Sequence, residues 1–129
     1  RSDWRGHELI GLKYFRTLQY NANTRKIDFD INIQELWDKF IVQNGQCALT
    51  KIPLSFRLYT KRGQSNKSQT ASVDRIDSSK GYTVENIQWV HKTINLMKHK
   101  LSDEQFVTKC NQICNNESQL LSFIERNVI

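Results

Sequence analysis

Apolar residues recur every three or four positions over four stretches of the chain, which is the period of an amphipathic helix. The stretches are residues 6–23, 33–43, 103–114 and 120–126. Asn32 followed by Glu35, and Ser102 followed by Gln105, form capping-box patterns at the start of the second and third stretches. These patterns predict helices at both ends of the chain.

The middle of the chain has a different pattern. Residues 71–76 and 86–90 are short apolar-rich runs that predict two strands, and turn residues separate them at 77–81. A further helix is expected from His91 to about Lys100. Residues 26–31 alternate polar and apolar, which fits either a short strand or an extended segment. The order strand, long turn, strand, helix, with helices on both sides, predicts an α+β fold.

The length of 129 residues fits a single domain. Its parts are expected to be an N-terminal helical part over 1–46, a core over 47–100 and C-terminal helices over 101–129. No apolar run approaches 18 residues, so no membrane segment is expected.

Basic residues outnumber acidic ones by 19 to 13, and the net charge is +6. This charge suits a polyanionic partner such as DNA, because Lys and Arg side chains displace counterions from phosphates. Residues 60–70 form a polar, basic stretch, and Arg57, Lys61 and Arg62 are candidates for phosphate contacts. A solvated loop without a partner is the alternative interpretation of that stretch.

The three cysteines, Cys47, Cys110 and Cys114, show no paired spacing of the kind that holds zinc or builds a disulfide framework. We interpret them as small buried hydrophobic residues in a protein of a reducing, intracellular compartment. No structural zinc is expected.

The chemistry-bearing residues lie in the predicted strands and in the helix after them. The run from Ser72 to Tyr82, followed by the run from Asn86 to Lys98, resembles the signature of the HNH (ββα-metal, His-Me finger) endonucleases in its phage-type, homing-like form. Residues 45–54 resemble the lead-in of the same subgroup, so the resemblance extends from about Trp37 to Lys98. It implies a two-stranded antiparallel hairpin and a helix around a metal, packed on N- and C-terminal helices.

The resemblance also implies a reaction. Asp74 and Asn95 occupy the positions that bind the metal in the family, and oxygen ligands of this kind suit Mg²⁺ or Mn²⁺. The expected activity is divalent-metal-dependent hydrolysis of phosphodiester bonds in double-stranded DNA, by a homing, phage-associated or restriction-like enzyme of a phage or its bacterial host. Cutting both strands needs two active sites, which favours a homodimer.

One position departs from the family pattern. The family usually has His directly after the first acidic residue, where it serves as general base, and this chain has Arg75. Arginine keeps its proton at neutral pH, so the base must come from elsewhere. The combination is similar to an unusual HNH restriction-enzyme site, by which Arg75 binds the phosphate and Tyr82 orients or deprotonates the water. His91 is the other candidate for the base.

The helix expected after the second strand would carry further contacts. His91, Asn95 and His99 are spaced four apart and would share one helical face. Lys92, Lys98 and His99 are candidates for DNA contacts. By the resemblance, Asn86 is structural and holds the long turn, and Gly81 is expected to adopt a positive φ.

Two other classes of function fit parts of the same sequence. Arg75 at the base position would suit a DNA-binding module whose nuclease site has decayed. The charge alone would suit an unrelated basic domain. Metal-dependent cleavage of DNA would separate the nuclease interpretation from both of these alternatives.

Overall fold

Five α-helices and two small antiparallel hairpins make up the part of the fold that the structure describes. The computed structural model describes residues 5–57 and 68–128. In chain order the elements are β1 (Gly6–His7), β2 (Ile10–Gly11), α1 (Leu12–Thr24), α2 (Ile33–Val42), β3 (Ala71–Arg75), β4 (Ile87–His91), α3 (Lys92–Lys98), α4 (Asp103–Asn115) and α5 (Glu117–Val128). The predicted α+β class is confirmed.

The N-terminal helix is shorter than the apolar period predicts. A small hairpin, β1 paired with β2, precedes it, and α1 begins only at Leu12. Gly6 has φ +147°, and a Cβ at that position would lie 2.1 Å from the carbonyl oxygen of Ile10. A helix over these residues is therefore excluded by the backbone that Gly6 adopts.

Both capping boxes that the sequence predicts are present. Asn32 Oδ1 accepts from Glu35 N at 2.8 Å, and Glu35 Oε1 accepts from Asn32 N at 2.9 Å. Ser102 and Gln105 make the same pair of bonds at the start of α4. Each cap satisfies backbone N–H groups that have no partner inside the helix, and this sets where α2 and α4 begin.

Trp89 is the centre of the core. Its side chain is 0% exposed, packs edge-on against Phe40 and Phe56, and donates from Nε1 to Leu36 O at 2.8 Å. The side-chain amide of Gln43 bonds both the N–H and the carbonyl of Trp89. These contacts anchor β4 to α2, and β4 in turn carries β3.

Residues 27–31 take the extended form that the sequence left open, whereas Lys26 lies in a turn with φ +59°. They make no continuous strand, and a single parallel bridge joins Phe29 to Tyr82. Tyr82 N donates to Asp28 O and Asp30 N donates to Tyr82 O, each at 2.8 Å. This segment therefore lies alongside the turn between β3 and β4.

The predicted strand, turn, strand, helix order is present at β3, β4 and α3. The strands pair antiparallel with Asp74 directly opposite Gln88, and α3 follows β4 without a break and packs on β3. Side chains two apart on a strand share a face, so Ser72 and Asp74 both lie toward α3. A small α/β unit with one polar face results.

The C-terminal helices α4 and α5 are mostly exposed. Phe106 of α4 is buried, whereas the side chains of residues 117–127 are exposed. Cys47 is fully buried, as expected, but the interpretation of all three cysteines as buried is wrong, since Cys110 is half-buried and Cys114 is exposed. None of the helices in the described residues has the length and apolar character needed to cross a bilayer.

Candidate active site

A cleft of about 910 Å³ lies between residues 25–28, the end of β3 with its turn, and α3. Asp74 and Arg75 of β3, Tyr82 of the turn after it and Asn95 of α3 all line it. The basic residues in its lining are Arg25, Lys26, Arg75, Lys80, Lys92 and Lys100. The acidic residues in the lining are Asp28 and Asp74, so positive charge predominates.

Asn95 is fixed to β3 through its amide nitrogen. Asn95 Nδ2 donates to Ser72 Oγ at 2.7 Å and to Val73 O at 3.3 Å. With the nitrogen used in this way, the amide oxygen is the atom left for the cleft, and it accepts no hydrogen bond within residues 5–57 and 68–128. An oxygen in that position is a suitable ligand for a hard cation.

Asp74 is buried and shares its carboxylate with a lysine. Asp74 Oδ2 accepts from Lys98 Nζ at 2.6 Å and from Gln88 Nε2 at 3.0 Å. Both bonds go to Oδ2, and Oδ1 accepts none from the part of the chain that the structure describes. Asp74 therefore keeps one carboxylate oxygen for the cleft.

Lys98 was expected at a DNA phosphate, and the structure places it elsewhere. Its side chain is only 1% exposed, and its ammonium lies 2.6 Å from both Asp74 Oδ2 and Asp103 Oδ1. It also donates to Arg75 O at 2.9 Å. A buried ammonium with these partners cannot also reach a phosphate at the surface, so Lys98 is an internal cation of the site.

The donor set fits one weakly held divalent cation. A carboxylate oxygen of Asp74 and the amide oxygen of Asn95 are hard ligands, and Mg²⁺ commonly keeps several waters and takes few protein ligands. No group of three or more His, Cys, Asp or Glu side chains suited to a metal occurs in the described ranges. The remaining coordination would have to come from water and from the phosphate.

Arg75 is held through one terminal nitrogen of its guanidinium. Nη1 donates to Ser78 O and to Lys80 O, both at 2.8 Å, and the guanidinium carbon lies 5.4 Å from the centre of the Tyr82 ring. Nε and Nη2 donate to no residue in the described ranges. A guanidinium has five N–H donors, so one edge of the fork stays available for an anion.

Tyr82 lines the cleft, and its ring is fixed by packing. The residue is 8% exposed, and its ring packs on Phe29 with the centroids 5.4 Å apart. Its hydroxyl makes no hydrogen bond within the described residues. The phenol is therefore positioned by packing and is available to a bound water.

A second tyrosine lies behind β3. Tyr14 Oη accepts from Val73 N at 3.1 Å. Burial raises the pKa of Tyr14, and hydrogen bonds with Val73 and Ser72 oppose part of that rise, while nearby Tyr82 adds to it. Tyr14 therefore stays protonated and supports the strand.

The expected row of His91, Asn95 and His99 on one helical face is not formed. α3 begins after His91, whose Nδ1 caps it by accepting from Thr93 N at 3.1 Å. The helix ends before His99, which has φ +51°. His99 and Lys92 line the cleft, whereas His91 is not among its lining residues.

The long turn is closed by Asn86. Its amide nitrogen donates to Asp77 O at 3.0 Å and to Gly81 O at 2.8 Å, and its oxygen accepts from Asp77 N at 3.0 Å. Gly81 does not adopt the positive φ that was expected. It is needed for close approach instead, because a Cβ there would lie 2.7 Å from Asp28 O.

The site contains residues that the sequence did not single out. Gln88 could have been found from the strand pairing, since it lies opposite Asp74, but nothing in the spacing pointed to Ser72 or Asp103. Of the DNA contacts expected in and just before the polar stretch, Arg57 is not in the cleft lining, and Lys61 and Arg62 lie outside the described residues.

Comparison with known proteins adds no constraint on this cleft, so its chemistry rests on the residues that line it. No protein family, curated protein or solved structure matches the chain.

Proposed function

We propose that the chain is a divalent-metal-dependent DNA endonuclease of the HNH, ββα-metal type, of the homing, phage-associated or restriction-like kind. The observation that carries the proposal is the position of Asp74, Arg75, Tyr82 and Asn95 in one cationic cleft. A carboxylate and an amide oxygen can hold the metal, a guanidinium can bind the phosphate and a phenol can orient the water in metal-assisted phosphodiester hydrolysis.

The metal, Mg²⁺ or Mn²⁺, would be held by Asp74 and Asn95. When bound, such an ion neutralises charge that develops on the phosphate and stabilises the leaving oxygen. Because Ser72 holds the amide nitrogen of Asn95, the amide oxygen needs no reorganisation before it binds.

Arg75 and Tyr82 then share the work that a histidine does elsewhere in the family. The free edge of the Arg75 guanidinium binds a non-bridging phosphate oxygen, since its other edge is fixed to the turn. Tyr82 Oη accepts a hydrogen bond from the attacking water and orients it. Tyr82 suits this role better than His91, which is used at Nδ1 as a helix cap and is absent from the cleft lining.

The substrate is double-stranded DNA. Arg25, Lys26, Lys80, Lys92 and Lys100 give the cleft a cationic lining that suits a phosphate backbone. Phosphate contacts of this kind position a duplex without selecting a sequence. A homodimer would supply the second active site that cleavage of both strands needs.

A DNA-binding module without catalysis is the second candidate. Two observations favour it: an arginine occupies the base position, and Lys98 already neutralises part of Asp74. The same cationic lining would then serve binding alone.

Cleavage of supercoiled plasmid DNA separates the two functions. The native chain is incubated with Mg²⁺, Mn²⁺ or EDTA beside Asp74→Asn, Asn95→Ala and Arg75→Lys. Asp38→Asn, an exposed carboxylate on α2 outside the cleft lining, is the matched control. We expect metal-dependent nicking or linearisation that the control retains and the Asp74 and Asn95 variants lose.

Arg75→Lys keeps the charge but loses the fork, so we expect a loss of roughly 100-fold, the scale of removing one transition-state donor. DNA binding without cleavage at any metal concentration would reject the nuclease in favour of the binding module. Circular dichroism of each variant confirms that the fold persists.

A further inference from the structure

Lys98 joins two carboxylates from different elements inside the protein. Its ammonium lies 2.6 Å from Asp74 Oδ2 on β3 and 2.6 Å from Asp103 Oδ1, the first residue of α4. Gln88 Nε2 bridges the same carboxylates, at 3.0 Å from Asp74 Oδ2 and at 3.1 and 3.0 Å from the oxygens of Asp103. The four side chains form one network, of which Asp74 lines the cleft.

The charge of this network depends on Asp103. Asp74 and Lys98 alone would cancel, and a neutral pair offers a divalent cation little attraction. With Asp103 the network has two carboxylates and one ammonium, so one net negative charge remains. Asp103 is one-quarter exposed, and its Oδ1 lies as close to the ammonium as Asp74 Oδ2 does, at 2.6 Å.

We propose that Asp103 is a positioning residue for the metal site, acting through Lys98 and Gln88. By sharing the ammonium it leaves Asp74 enough negative charge to bind the cation at the cleft. The inference rests on the proposed function, because the metal belongs to that function. It assigns a role in metal binding to the start of α4, which touches none of the reacting groups.

The local structure supports this role. The Ser102–Gln105 capping box fixes where α4 begins and so places Asp103 at the first helical position. Ser78 Oγ donates to Lys100 O at 2.7 Å, which ties the connection between α3 and α4 to the turn after β3. Asp103 is therefore held toward Lys98 by the backbone on both sides.

The test measures binding of Mn²⁺ to the free chain by the loss of the electron paramagnetic resonance signal of the free ion, up to millimolar Mn²⁺. Asp103→Asn keeps the shape of the side chain and removes its charge. We expect its Mn²⁺ dissociation constant to rise about tenfold, the effect of one unit charge several ångströms from a divalent ion in a partly solvated site. Glu104→Gln removes the neighbouring, exposed charge of the same helical turn and is expected to bind like the native chain.

Lys98→Met should change the affinity for Mn²⁺ in the opposite direction to Asp103→Asn. It removes the ammonium, so the metal-free protein should have a lower Tm because two carboxylates are left close together. The remaining charge is more negative, so the same variant should bind Mn²⁺ more tightly, and Mn²⁺ should raise its Tm by more than that of the native chain. A merely structural network would instead weaken metal binding in both variants.

The outcomes separate this inference from the proposed function. If Asp74→Asn loses Mn²⁺ binding while Asp103→Asn binds like Glu104→Gln, the metal site stands and the role of Asp103 is rejected. If Lys98→Met binds Mn²⁺ more weakly than the native chain, the charge argument is rejected. If the native chain binds no Mn²⁺ at millimolar concentration, both the metal site and the inference fail.

Discussion

Asn95 on α3 donates to Ser72 Oγ on β3 at 2.7 Å, and this bond fixes which atom of the amide is left for the cleft. Ser72 and Asp74 are two apart on one strand face, and Asn95 and Lys98 are three apart on one helix face. The strand and the helix therefore contact each other through two matched polar pairs, Ser72 with Asn95 and Asp74 with Lys98. In the proposed metal site, the first pair would position Asn95 as a ligand, and the second would adjust the charge of Asp74.

The first prediction concerns Ser72→Ala. Without the hydroxyl, Asn95 loses its shorter hydrogen bond and its amide can rotate, so we expect about tenfold slower metal-dependent cleavage, equivalent to the ~1.4 kcal/mol of one typical hydrogen bond. Ser72→Thr keeps the hydroxyl on a β-strand and should restore most of the rate. Plasmid nicking rates measured at saturating metal give the comparison.

Ser118→Ala, on exposed α5, is the matched control for Ser72→Ala. It should cleave like the native chain. Equal rates for Ser72→Ala and Ser72→Thr would show that the orientation of Asn95 does not depend on this hydroxyl.

The second prediction separates the two candidates for the base. Tyr82→Phe removes one hydroxyl and keeps the ring on Phe29, so cleavage should fall by roughly 100-fold or more, as for loss of a positioned proton acceptor. The Tm should change little. His91→Ala should keep most of the cleavage and lose about 1 kcal/mol of stability, the usual cost of a lost helix cap.

Single-turnover cleavage rates and thermal unfolding of the two variants provide both readouts. Loss of cleavage in His91→Ala, with Tyr82→Phe active, would reverse the assignment of the base.

Sequence patterns predict the local parts of this fold better than its long-range contacts. The capping boxes at Asn32 and Ser102 are local hydrogen-bond patterns, and both are present where the sequence indicates. The predicted start of α1 was wrong because the apolar period extends back to Gly6, whose backbone is not helical. Apolar spacing reports which residues are buried, not where a helix begins.

The same limit applies to the candidate site. Asp74, Arg75, Tyr82 and Asn95 were chosen by resemblance, and the structure brings them to one cleft. The burial of Lys98 could not be predicted, because its partners Asp74 and Arg75 lie more than 20 residues away and only the packing of α3 on β3 joins them. A lysine on a short, polar helix is ordinarily expected at the surface.

The third prediction concerns the pH dependence of the turn between the strands. Hydrogen bonds from the Ser79 hydroxyl and then from its backbone N–H hold the pKa of Asp77 below its ordinary value of 3.8. Because the folded pKa is the lower one, this contribution to stability is present above about pH 4. It is lost as the pH falls through 3.8 and below.

Asp77→Asn keeps an oxygen for Ser79 and removes the titration. Its Tm should therefore fall less between pH 5.5 and pH 3 than that of the native chain. Asp38→Asn, which removes an exposed carboxylate on α2, is the control and should follow the native curve. An equal fall in Tm for Asp77→Asn and the native chain would show that the ionisation of Asp77 does not contribute to stability.

The last prediction concerns Gly81, the residue that lets the turn approach the extended segment. A Cβ at this position would lie 2.7 Å from Asp28 O and 2.8 Å from Asp28 Cβ, closer than real contacts allow. Gly81→Ala must therefore push the two segments apart and weaken the bond from Tyr82 N to Asp28 O. We expect a loss of about 1–3 kcal/mol in the free energy of unfolding, as for other overpacked sites.

Denaturant unfolding of Gly81→Ala, Gly81→Asn and Lys80→Ala tests whether close approach to Asp28 is the reason for glycine at this position. Lys80→Ala changes the neighbouring exposed side chain and should be as stable as the native chain. Asn tolerates a positive φ much better than Ala does, so a conformational requirement would make Gly81→Asn the milder substitution. Close approach predicts the opposite, because Asn carries the same Cβ and more atoms beyond it. Since Tyr82 follows Gly81 directly, both Gly81 variants should also cleave DNA more slowly. A Gly81→Asn variant as stable as the native chain would reject the steric explanation.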